Sequence, residues 1–95
     1  MKMITAVVRP FKLDELRQAI ALLGVQGVTV TEVQEVPYGP RAKVEVAVGD
    51  DIAEPVVEAI ANVSRSGRLG DGRILVGEIE QTIRIRTRET GVSAT

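Results

Sequence analysis

The sequence predicts a single α+β domain in which one four-stranded antiparallel sheet carries two helices on one face. Three observations lead there. The chain has 95 residues, and a chain of that size has room for one core only. Its apolar residues switch between a period of two and a period of 3.6 in the order strand, helix, strand, strand, helix, strand, with the second half repeating the first. Aromatic residues make up 2%, one Phe and one Tyr, against 44% hydrophobic residues overall, so the core must be built from Val, Ile, Leu and Ala.

Each element follows from its own residues. Met3 to Arg9 is short, rich in Ile and Val and stopped by Pro10, which reads as a strand buried on both faces. From Leu13 the apolar residues fall at Leu13, Leu16, Ala19, Ile20 and Leu23, a helical stripe with Asp14 and Glu15 in its first turn and Gly24 past its end. Beyond the Gln26-Gly27 turn, Val28 to Val36 opens by alternating Val28 and Val30 with Thr29 and Thr31, a second strand that Tyr38-Gly39-Pro40 breaks. Ala42 to Val48 alternates again, Val44, Val46 and Val48 against Lys43 and Glu45, before Gly49-Asp50-Asp51 supplies a turn and a helix cap. The second helix sets Ile52, Val56, Ile60 and Val63 on one face, tolerates Pro55 in its first turn and fails in the glycine-rich stretch Ser66 to Gly72. Arg73 to Glu78 is the fourth strand. A last alternating segment places Ile83 and Ile85 opposite Thr82, Arg84 and Arg86, and the tail after Thr87 has nothing to anchor it.

The order β-α-β-β-α-β is the ferredoxin-like split βαβ arrangement, with one sheet face under helices and the other bare. That fold hosts RNA-binding modules, acyl-phosphate hydrolases, metal chaperones and signal transducers, so function has to be read from residues. Cys and His are absent, which removes thiol nucleophiles, Ser-His pairs and nearly all zinc or copper sites. No apolar run approaches about 18 residues and no signal-peptide pattern opens the chain; a cytoplasmic location without membrane insertion is expected. A net charge of −1 argues against a protein that coats nucleic acid, and leaves any anion site to local clusters of cations. A small aliphatic core also hints at an oligomer, in which copies of the chain bury further surface against one another.

The densest such cluster is Arg65 to Arg73, reading RSGRLGDGR, where arginines are interleaved with Gly67, Gly70 and Gly72. Glycines reach backbone angles that turn successive N–H groups toward one point, and guanidinium forks match phosphate oxygens. Taken alone, the stretch is more simply a flexible surface turn with solvated arginines. Arg84 and Arg86 lie two apart and so share a sheet face, as do Lys43 and Glu45, for which a cross-strand ion pair is as good an account as a ligand contact. Asp50 and Asp51 adjoin, and helix capping explains both better than a metal or acid-base pair. An RNA-binding module would stack bases on sheet aromatics that the strands lack. An acyl-phosphate hydrolase would need an anion-holding Arg, for which Arg9 is available, and a side-chain amide to place water, but the only Asn is Asn62 inside a helix.

The opening MKMITAVVRPFKLDELRQAIALLGVQGVTVTEV resembles the start of the PII nitrogen-signalling proteins, RSGRLGDGRILV resembles their nucleotide loop, and IRIRTRE resembles the strand whose two arginines reach a neighbour's bound nucleotide. The resemblance implies a regulator without catalytic activity, a homotrimer of ferredoxin-like subunits with sheets facing inward. It implies ATP or ADP bound competitively in clefts between subunits, with magnesium accompanying ATP. Carried over, Gly70, Asp71, Gly72 and Arg73 would cradle the phosphates, with Arg65 in the same loop. Arg73 stands where the family usually has Lys, which keeps the charge but replaces an ammonium by a planar fork. Gly27, Val28, Thr29, Glu45 and the neighbourhood of Val48 resemble the adenine-side wall, and Arg84 and Arg86 would enter from the adjacent subunit.

One part departs from the pattern. Between the second and third strands the family carries a long flexible effector loop, and here only Gln34 to Ala42 is available. With the loop go the Gln that helps hold magnesium and 2-oxoglutarate and the modified Tyr or Ser of some branches. Tyr38, in VPYGPR, reads as a turn residue, while Arg41 falls near a family Lys. The partner expected is a transporter or metabolic enzyme of nitrogen metabolism. A PII-like nucleotide sensor of another pathway, such as the carboxysome- or bicarbonate-linked branch, is the alternative.

Overall fold

Residues 1–94 are described by the structure, a computed structural model. Strand β1 (Lys2–Val8) leads through a single 3-10 turn at Pro10–Lys12 into helix α1 (Leu13–Ala21); β2 (Thr29–Glu35) and β3 (Gly39–Val48) follow, then α2 (Asp50–Ser64) and β4 (Gly72–Glu78). The sheet order is β2-β3-β1-β4 with every pairing antiparallel, the ferredoxin-like arrangement expected from the pattern. Alternation decides which side chains meet. Ile4, Ala6 and Val8 of β1 and Ala42, Val44, Val46 and Val48 of β3 point to the helix side, where Leu16 and Ile20 of α1 and Ala53, Val56 and Ile60 of α2 cover them. Each such aliphatic side chain contributes about 1.5–3 kcal/mol on burial. Gly24, at φ 89°, ends the first helical segment where the glycine signal puts it, its N–H bonded to the Ala21 carbonyl at 3.0 Å.

Several expectations need correction. Neither Asp50 nor Asp51 caps α2 through its side chain; Gly49 is the N-cap, and both acids lie in the first turn, where the helix dipole favours them. Asp50 is taken instead by the Met1 ammonium at 2.9 Å. The connection expected over Gln34 to Ala42 is far tighter, because β2 and β3 stay paired to Glu35 and Gly39 and only Val36-Pro37-Tyr38 turn. Pro40 is tolerated there because β1 ends at Val8, opposite Ala42, leaving β3 with one neighbour at Pro40.

The last alternating segment does not form a strand. It folds back on itself, with Ile83 bridged to Thr90, the Arg84 N–H bonded to the Glu89 carbonyl at 2.9 Å and Arg88 turned to φ 61°. The tail is therefore anchored, with the Thr82 hydroxyl donating to the Gly91 carbonyl at 3.1 Å and a short 3-10 turn over Gly91–Ala94.

Candidate anion site at the glycine loop

Between the end of α2 and the start of β4 the chain closes on one carboxylate. Asp71 accepts from the N–H groups of Ser66 (2.8 Å) and Gly67 (3.2 Å) and from the Ser66 hydroxyl, and its oxygen lies 3.1 Å from the Arg9 guanidinium. The Ser66 hydroxyl foremost, then these N–H groups and Arg9, hold the Asp71 carboxyl below the usual carboxylate range. Arg9 also donates to the Ser66 hydroxyl and to the Leu69 carbonyl, both at 2.9 Å. The Asp71 side chain thus organises the loop from within. Arg9, named only for a hydrolase from the sequence, is the loop's second tie. Antiparallel pairing sets Val8 opposite Gly72, so the residue after Val8 has to stand beside Asp71, but that follows only once the pairing is known.

The loop's glycines are required by its path. Gly67, Gly70 and Gly72 have φ of 80°, 85° and 117°, a region L side chains avoid. A Cβ on Gly72 would fall onto the Val7 carbonyl oxygen. Gly70 makes the crest, and its N–H has no acceptor among the described residues, leaving a backbone donor open beside the arginines.

The β2–β3 hairpin leans over this crest. Glu35, the last residue of β2, meets Arg73 at 2.5 Å across the open sheet face, with Arg73 54% exposed and Glu35 21%. A Cβ on Gly70 would lie 3.1 Å from the Arg41 guanidinium and 3.2 Å from the Tyr38 ring. Arg41 is buried and stacks on Tyr38 at 5.3 Å from the ring centroid. Neither Glu35 nor this stack was legible as part of the site, because both depend on how far the hairpin curls.

The remaining residues lie elsewhere. Gly27, Thr29 and Glu45 line one shallow cavity of about 250 Å³ with Met3 and Ala47. Among the described residues Glu45 and Lys43 form no ion pair. Val28 packs on the core and Val48 is a core residue, so their side chains do not line that cavity. Arg65, Asp71, Gly72 and Arg73 line a second cavity of about 280 Å³ with the buried Ser64, whose hydroxyl has no partner among the described residues. Sheet order separates the two cavities: Thr29 lies on edge strand β2 and Arg73 on edge strand β4, about 14 Å apart across three strand spacings. Arg84 and Arg86 stand beyond the far end of β4, about 20 Å along the strand from Gly72. Arg84 is engaged within its own turn, 4.0 Å from Glu89. One chain does not bring these groups together.

Comparison with known proteins gives a family model described as Nitrogen regulatory protein P-II, which matches residues 1–89. The P-II protein of Rhizobium meliloti (strain 1021) is 44% identical, that of Cereibacter sphaeroides 43%, and Nitrogen regulatory protein GlnK of Escherichia coli (strain K12) 35%, each over 99% of both chains. These alignments run over 111 positions. The chain has 95 residues, so at least 16 positions of the alignment (111 less 95) have no residue of this chain.

Proposed function

The chain belongs to the nitrogen regulatory protein P-II family, and on that premise we propose a cytoplasmic signal-transduction protein that binds ATP or ADP between the subunits of a homotrimer and catalyses nothing itself. The observation that carries this reading is the division of the candidate site between opposite edges of one sheet. Thr29 and Glu45 form one half on the β2 side, and the Gly70–Arg73 loop forms the other on β4. A second copy would set one half against the other, and Arg84 and Arg86, remote from the loop in their own chain, would reach a neighbour's ligand. Phosphates would be held by the open Gly70 N–H and by the Arg73 fork, with magnesium accompanying ATP on its phosphate oxygens. We assign the alignment positions lacking here to the three-residue β2–β3 turn, a truncated effector loop. Its partner would be a transporter or enzyme of nitrogen metabolism.

Titration calorimetry with ADP and ATP tests the reading. Micromolar binding without phosphate release is expected, and Arg73→Ala should weaken it by about 1.5–3 kcal/mol, the cost of a lost charge-assisted hydrogen bond. Unchanged affinity in Arg73→Ala would remove Arg73 from the site.

A further inference from the structure

We propose that Glu35 is an internal competitor for the anion site: its carboxylate occupies Arg73 when no ligand is bound, so that nucleotide and the closed hairpin exclude one another. The inference deepens the nucleotide reading and rests on it. Three contacts join the hairpin to the loop crest. Glu35 holds Arg73 at 2.5 Å, the Tyr38 ring covers Gly70, and the Arg41 guanidinium, stacked on Tyr38, approaches Gly70 beside it. The carboxylate therefore stands on the guanidinium where a phosphate oxygen would have to arrive. Arg73 has no other ionic partner within the described residues, and Glu35 has none besides Arg73. A phosphate reaching Arg73 leaves Glu35 unpaired beside a new negative charge, so the carboxylate withdraws, and the hairpin tip with Tyr38 and Arg41 moves with it off Gly70.

The consequence is quantitative. When ligand requires an open state, its apparent dissociation constant is the intrinsic one divided by the open fraction, a property of the protein and not of the ligand. Removing the competitor must then tighten ADP and ATP by the same factor. An exposed ion pair of this kind supplies a factor of about two to five.

The experiment compares the full chain with Glu35→Gln, an isosteric change at a surface position, by calorimetry with ADP and with ATP. Tyr38 is the sole Tyr and Trp is absent, so intrinsic emission reports the hairpin tip directly. Expected are equal two- to fivefold gains for both nucleotides, no gain when Glu35→Gln is made in an Arg73→Gln background, and ligand-free Glu35→Gln emission shifted toward that of the nucleotide-saturated native protein. Equal affinity of the two proteins, unequal factors for ADP and ATP, or unchanged emission would each overturn the competition while leaving the nucleotide site standing. Absence of ADP heat from both proteins would overturn the nucleotide reading and the competition with it.

Discussion

Gly67 and Gly72 belong to one loop and both carry positive φ, yet they differ in what a side chain would meet. Around Gly67 a Cβ finds open space, and at Gly72 it finds the Val7 carbonyl. Gly67→Ala should therefore cost only the conformational term, about 1 kcal/mol. Gly72→Ala adds a backbone clash next to the β1–β4 ladder and should cost more than about 2 kcal/mol, a fall in Tm of about 10 °C or more. Equal Tm values for the two variants would show that the clash relaxes freely. Asp71 sets a pH dependence of definite sign. Its carboxyl is held below the ordinary 3.8 by the Ser66 hydroxyl, the Ser66 and Gly67 N–H groups and Arg9. A carboxyl depressed in the folded state contributes stability that is present above the unfolded value and lost as pH falls through the folded one. Asp50, held down by the Met1 ammonium and Lys2, behaves alike. Asp71→Asn should lower Tm at neutral pH and flatten the decline below about pH 4; melting curves for the two proteins that run parallel from pH 7 to 2.5 would refute the assignment.

At the scale of the element, the hairpin decides what the loop can sense. Its Arg41 is the cation the hairpin itself brings to the crest, but its guanidinium is buried, stacked on Tyr38 and pressed on Gly70. With only Val36-Pro37-Tyr38 between the strands, no side chain is supplied to bridge magnesium and 2-oxoglutarate together. ATP and water can satisfy magnesium without the protein, leaving the keto acid no fixed chelating partner. An ATP titration with magnesium should thus change by less than about twofold when millimolar 2-oxoglutarate is added, since a lone ion pair supplies at most about 1 kcal/mol. A tenfold tightening, about 1.4 kcal/mol of coupling, would mean that another residue bridges the two ligands.

The whole molecule is longer than a chain of its size needs to be. Its radius of gyration is 13.7 Å and its longest extent 42 Å, against about 12 Å for the radius of a compact globule of this length. Apolar side chains stand out on the projecting parts, Ile85 95% and Leu69 96% exposed, and both β2 and β4 are edge strands with unpaired ladder groups. Such surface is covered most directly by further copies of the chain. Light scattering at micromolar concentration should give about three times the 10.2 kDa chain mass. A monomer mass would sink both the trimer and the intersubunit site.

Local chemistry was enough to determine the six main elements and the glycine loop, because alternation, helical spacing, Pro10 and Gly24 each act within a few residues of chain. The family could be recognised from the same short stretches. What tertiary structure decided is who faces whom. The Asp71 carboxylate is taken up by Ser66, Gly67 and Arg9; Arg73, carried over as a phosphate ligand, holds Glu35; Ile83 to Arg86 alternates like a strand but bridges back to Thr90. Each of these turns on which rows of side chains the antiparallel register lays side by side. Register is a long-range property, set by the packing of strands distant in sequence, and no local period encodes it.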